Sequence, residues 1–135
     1  MDKQNVTPMA DNGTRVANEA GGMREAQSGK GFWAGIPYEG MQRVALWYEQ
    51  GAIKYGPRNW EKGISVTDCV SAIMRHIWKF AWGWKDEDHL AAVVWNAMTI
   101  MHLEKFNPES CDLPRYQTEE DPNHGDVSNN TNTPT

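Results

Sequence analysis

Two cysteines, Cys69 and Cys111, are the whole thiol complement of this 135-residue chain, and they form no CxxC pair. That excludes a cysteine-based zinc site and a disulfide framework, and it points to a reducing compartment. No charged-then-apolar segment opens the chain, and no apolar run approaches the roughly 20 residues of a membrane span. A cytoplasmic protein without membrane contact is expected. A basic surplus is missing too: the net charge is −5, with eight Lys/Arg against eight Asp/Glu in residues 31–106 and one against six in residues 107–135. A neutral centre offers no broad face to nucleic acid, which is therefore not expected as a partner. Neither a Walker-type glycine loop nor an internal repeat is present.

What the chain does have is concentrated in residues 31–106, which hold almost all the large apolar side chains. Residues 1–30 and 107–135 are polar, the latter acidic, and disordered ends are expected there. A core of roughly 75 residues is marginal alone, so completion by oligomerisation, as a dimer or tetramer, is expected.

The apolar spacing within the core is helical, and the expected fold is an all-α bundle of three main helices. Tyr38 to Tyr55 reads as the first, entered at Pro37 and stopped by Gly56-Pro57. Its apolar arc, centred on Val44, Tyr48 and Ala52 and continued by Leu46 and Ile53, contains Glu49 beside small neighbours. The arc therefore predicts an inward carboxylate, with Arg43, Gln50 and Lys54 on the solvated side. Ser65, three before Asp68, opens a second helix in a capping-box arrangement running to about Trp82, with His76 at the edge of its apolar arc and Arg75 and Lys79 on its polar side. Asp86, Glu87 and Asp88 supply an acidic start for a third helix, which runs to about Lys105. That helix is apolar nearly all the way round, and His89 and Asn96 share one stripe of it.

A carboxylate, imidazoles and an amide on apolar helix faces can converge on one pocket in an antiparallel bundle. An isolated buried Glu49 must be paired, hydrogen-bonded or metal-bound; ion pairing with Arg43, Lys54 or Arg75 is the structural alternative. His76 alone fits a satisfied core histidine equally well. In the loop after the first helix, Lys54, Arg58 and Lys62 surround Asn59 and Trp60. Such a set suits phosphates and a stacked base, or else a tryptophan that plugs the end of the core.

Three strings carry a resemblance: YEQGAIKYGPRNWEKG from Tyr48 to Gly63, the Arg75-His76 pair, and HLAAVVWNAM from His89 to Met98. Together they resemble the phage-type dATP/dGTP diphosphohydrolase domain, a relative of the all-α MazG-like nucleotide pyrophosphohydrolases, over residues 30–106. The resemblance implies a helical, oligomeric enzyme that hydrolyses a purine deoxynucleoside triphosphate to monophosphate and pyrophosphate with magnesium, manganese being an alternative ion. It also implies a place in phage nucleotide-pool remodelling or modified-base DNA synthesis. Site roles assigned on that basis are catalysis by Glu49, His76 and His89, and nucleotide binding by Lys54, Tyr55, Arg58, Asn59, Trp60, Lys62 and Arg75. Glu49, Glu87, Asp88 and Asn96 are the assigned metal ligands. The chain departs from the MazG-like ExxE and ExxD pairs, because Glu49 has no acid three positions away and Asn96 stands where a metal-binding acid is expected. Two rivals remain: a triphosphohydrolase, disfavoured by an Asp88-His89 order in place of a His-Asp dyad, and a non-catalytic helical nucleotide-binding or interaction module.

Overall fold

The computed structural model describes residues 9–11 and 13–117. The disorder expected for residues 1–8 and 118–135 concerns positions outside the described residues. The chain divides into two units, residues 1–36 and 37–135.

Within the first unit, part of the segment expected to be unordered forms a hairpin. Strand β1 (Arg15–Ala17) pairs antiparallel with β2 (Met23–Glu25), placing Arg15 opposite Glu25 and Ala17 opposite Met23. Asn18 closes the turn: its side-chain oxygen accepts from Gly22 N–H at 2.8 Å, and Gly21 takes the positive φ of 82° that a glycine supplies without strain. Three-residue strands with exposed faces carry almost no periodic signal, which is why composition alone suggested disorder.

The second unit holds the three expected helices: α1 (Tyr38–Tyr55), α2 (Val66–Ala81) and α3 (His89–Phe106), joined by short 3₁₀ turns. Pro37 stands at the N-cap of α1, and Gly56 at φ 89° ends it before Pro57. Ser65 caps α2 as expected, its hydroxyl oxygen accepting from Asp68 N–H at 3.3 Å. The start of α3 differs from expectation. The acids precede the helix, and Asp88 serves as its N-cap by accepting from Ala91 N–H at 3.1 Å. Asp88 also takes a two-pronged ion pair from Arg43 of α1, at 2.8 and 2.7 Å. One carboxylate thus starts one helix and ties it to another.

Helix α3 is the one against which both others pack. Its buried positions, Ala91, Ala92, Asn96, Thr99 and Leu103, face α1 and α2, and Leu103 joins Val66 and Cys69 in the fully buried cluster. Truncation of a fully buried leucine loses transfer energy and leaves a cavity, so Leu103→Ala is expected to lower unfolding free energy by about 2–5 kcal/mol in a urea titration.

The packed chain runs past residue 106, where the sequence suggested an end. Cys111, Leu113 and Tyr116 lie against the Val66–Cys69–Leu103 cluster. Asp112 accepts hydrogen bonds from the Ser65 hydroxyl, and from the Thr67 N–H and hydroxyl at 2.9 and 3.0 Å. A carboxylate at a helix N-terminus also meets the positive end of the helix dipole. These bonds, the Ser65 hydroxyl first and the Thr67 N–H second, hold the Asp112 carboxyl below its ordinary value. A depressed carboxyl stabilises the fold above its unfolded pKa, and that contribution is lost as pH falls. Asp112→Asn is therefore expected to lower the thermal midpoint at pH 7, with the difference from wild type shrinking below about pH 4.

Candidate active site

A cleft of about 470 Å³ opens between the three helices. Helix α1 contributes Trp47, Gln50, Gly51, Lys54 and Tyr55; α2 contributes Ala72, Arg75, His76 and Lys79; the α2–α3 turn contributes Glu87, and α3 contributes Trp95 and Asn96. On α1 and α2 these sets follow the i, i+3, i+4, i+7 spacing of a single helix stripe. Gly51 keeps its stretch of wall bare: a Cβ there meets nothing within 4 Å. Glycine in a helix interior costs about 1 kcal/mol relative to alanine, so the gap weakens α1 locally and leaves the cleft open.

From His76 in the cleft wall a chain of polar side chains runs back through His89 to Asp86. Asp86 accepts from His89 Nε2 at 2.8 Å, and His89 Nδ1 lies 2.9 Å from His76 Nδ1. With the proton on His89 Nε2 and directed at Asp86, the His89 lone pair sits on Nδ1, where the His76 Nδ1–H donates to it. Both imidazoles are buried, at 7% and 3% exposure. Burial lowers the pKa of His76; Glu87 opposes that shift, and Arg75, His89 and Lys79 add to it. The hydrogen bond with His89 holds the Asp86 carboxyl below its ordinary value. The ring of Trp47 meets His76 edge-on, with centroids 6.1 Å apart. Near the rim, Lys54 lies over the Tyr55 ring, and hydrogen bonding to Tyr55 with a further attraction to Glu87 raises the Lys54 pKa.

Six of the site residues assigned from the sequence, Lys54, Tyr55, Arg75, His76, Glu87 and Asn96, line the cleft, and His89 stands behind its wall, hydrogen-bonded to His76. Asn96 donates its amide N–H to Ala92 O at 2.8 Å and so holds a fixed orientation. Others are not brought together. Glu49 is exposed and absent from the cleft wall, contrary to the inward position expected of it. The apolar arc of α1 is wider than the surface α3 covers: Leu46 is 50% and Ile53 81% exposed, and Glu49 lies on their side. Gln50 and Lys54 are exposed, as expected of the solvated side, and they also line the cleft. Asp88 is committed to Arg43 and the α3 N-terminus, which also depresses its carboxyl, so it is not placed as a free metal ligand.

The loop after α1 also lies elsewhere. Trp60 meets His102 edge-on at 4.7 Å, with the Arg58 guanidinium over its ring at 4.9 Å, and Arg58 pairs with Glu61. His102 stands 13 positions beyond His89, roughly 20 Å along the α3 axis. Arg58, Asn59, Trp60 and Lys62 therefore do not line the cleft, and Trp60 closes the far end of α3 in the manner of the plug alternative. Arg58 adopts a left-handed φ of 57°, uncommon for a side-chain-bearing residue. Sequence reasoning missed Trp47, Gln50, Lys79 and Trp95 as cleft residues, and it read Asp86 as one of three acids before the third helix without its contact to His89. The stripe Ala72, Arg75, His76, Lys79 was visible as helical spacing, but its two cations suggested a solvated face.

Magnesium needs oxygen ligands, and of the four proposed from sequence only Glu87 and Asn96 reach the cleft. One carboxylate and one amide suit an ion that arrives on a triphosphate and keeps several waters. No helix among the described residues is long and apolar enough to cross a membrane. A family model described as "dATP/dGTP diphosphohydrolase, N-terminal" matches residues 20–112. No curated protein and no solved structure matches the chain.

Proposed function

Because the chain belongs to the dATP/dGTP diphosphohydrolase N-terminal-domain family, we propose that it hydrolyses a purine deoxynucleoside triphosphate to the monophosphate and pyrophosphate in the α1–α2–α3 cleft. The observation that carries this reading is the convergence of Lys54, Arg75 and Lys79 around Glu87, Asn96 and the buried His76. Three cations match a polyphosphate. Trp47, Tyr55 and Trp95 offer flat apolar surface to a purine. Glu87 and Asn96 would hold magnesium, which when bound neutralises phosphate charge and favours attack by water. The corner formed by Glu87 and the His76–His89 pair would hold the attacking water, aimed at the α-phosphorus. A carboxylate and an uncharged imidazole are both competent to take its proton.

The active form in this reading is a homo-oligomer, dimer or tetramer. Ile53, Leu46, Met101 and Trp82 are exposed in the single chain, Trp82 at 75%, and so much uncovered apolar side chain is typical of an assembly surface. Glu49 sits within the Leu46–Ile53 face and would reach a site only across such an interface. The reaction would serve phage nucleotide-pool remodelling or modified-base DNA synthesis.

Incubation with each deoxynucleoside triphosphate, with and without magnesium, followed by separation of products, tests the proposal. Monophosphate and pyrophosphate from dATP or dGTP, in the presence of magnesium, are expected. Tripolyphosphate would identify a triphosphohydrolase instead, and binding without any product would leave a nucleotide-binding module.

A further inference from the structure

The water-holding corner has the donor set of a transition-metal site. We propose that His76 Nδ1, His89 Nδ1 and one Glu87 carboxylate oxygen bind a divalent transition-metal ion of the manganese, iron, cobalt or zinc class, distinct from the magnesium carried by the nucleotide.

Three observations support the site. First, the nitrogens converge. Two ligands each about 2.1 Å from one ion stand about 3.0–3.4 Å apart, and the two Nδ1 atoms are 2.9 Å apart, with the Glu87 donor in a group spanning no more than 4.8 Å. Glu87 is exposed and free to close the remaining distance, whereas the imidazoles are fixed by burial. Second, Asp86 holds His89 by its far nitrogen, the carboxylate–histidine arrangement that orients metal-binding imidazoles and sets their tautomer. Third, two imidazoles and a carboxylate favour transition metals over magnesium, which prefers oxygen alone. His76 and Glu87 line the cleft, so water and a phosphate oxygen would complete the coordination from there.

On binding, the His76 Nδ1 proton moves to Nε2, and the His76–His89 hydrogen bond is replaced by two metal–nitrogen bonds. Arg75 and Lys79 oppose a cation here, and Asp86 and Glu87 offset them. Glu87 would be shared between this site and the magnesium of the proposed reaction, and a metal there would supply charge neutralisation and water activation. The ion's part in water activation rests on the hydrolytic reading above; the site itself does not.

The test is a Co²⁺ titration of the chelator-stripped full chain without nucleotide, read by visible absorption and calorimetry in excess Mg²⁺. One Co²⁺ per chain, retained against Mg²⁺ and lost in His76→Ala and His89→Ala, is expected. Asp86→Asn, which removes no ligand, should weaken binding about 10–100-fold, and the exposed Glu87→Gln should weaken it with the circular dichroism unchanged. These two variants keep the test valid if a buried histidine variant unfolds. No stoichiometric Co²⁺ binding, displacement by equimolar Mg²⁺, or binding indifferent to Asp86→Asn and Glu87→Gln would overturn the site and leave the histidines a structural hydrogen-bonded pair. A chain that binds Co²⁺ but hydrolyses nothing keeps the site and loses the reaction; one that hydrolyses dATP with Mg²⁺ and shows no Co²⁺ spectrum does the reverse.

Discussion

Glu87→Gln is expected to lower kcat for dATP and dGTP by about 10²–10⁴-fold, the range associated with removing a group that handles a proton in the transition state. Among the described residues Glu87 is the only carboxylate in the cleft wall, which it shares with Lys54, Arg75, Lys79 and the buried His76. The amide of glutamine keeps the size and one oxygen but loses the charge and the basicity. KM should move less than kcat, because ground-state contacts through Lys54, Arg75 and Lys79 are retained. The side chain is exposed, so the helical circular dichroism should not change. Steady-state kinetics on the two substrates checks this, and a variant with wild-type kcat would remove Glu87 from the site.

Arg75→Ala is expected to lower kcat/KM by about 10–150-fold, the worth of one hydrogen bond to a charged group. Arg75 follows Ala72 and precedes Lys79 on the α2 stripe, at the lip of the cleft. Its fork can bind two phosphate oxygens at once, which a lysine cannot reproduce. Arg75→Lys should therefore restore only part of the loss. A loss that grows with the number of phosphates on a competing inhibitor, from monophosphate to triphosphate, identifies the contact as a phosphate contact. An equal loss for all of them would place Arg75 at the base instead.

The helix borders were legible because punctuation residues set them. Pro37 and Gly56-Pro57 bracket α1, and Ser65 opens α2 through the hydrogen bond its spacing implied. The contents of the site were half legible. Types such as Arg75, His76, His89 and Asn96 stand out on a helical projection, but a projection gives direction only around one axis. It does not say how much of an apolar arc a neighbour covers. On α1 the covered part is narrower than the arc, which leaves Glu49 outward, while Gln50 and Lys54 stay exposed and line the cleft. The contacts made by Asp86 with His89, Asp88 with Arg43 and Asp112 with Ser65 were not legible for a different reason. Acids before a helix look alike in sequence, and only packing decides which caps, which pairs and which orients an imidazole.

The central claim is that water attacks the α-phosphorus of a purine deoxynucleoside triphosphate in this cleft. Single-turnover hydrolysis of dATP and dGTP in ¹⁸O-labelled water, with mass analysis of both products, tests it most directly. The account predicts one ¹⁸O in the deoxynucleoside monophosphate and none in pyrophosphate, with turnover depressed in Glu87→Gln. Label in pyrophosphate, or no monophosphate from either substrate, would contradict it.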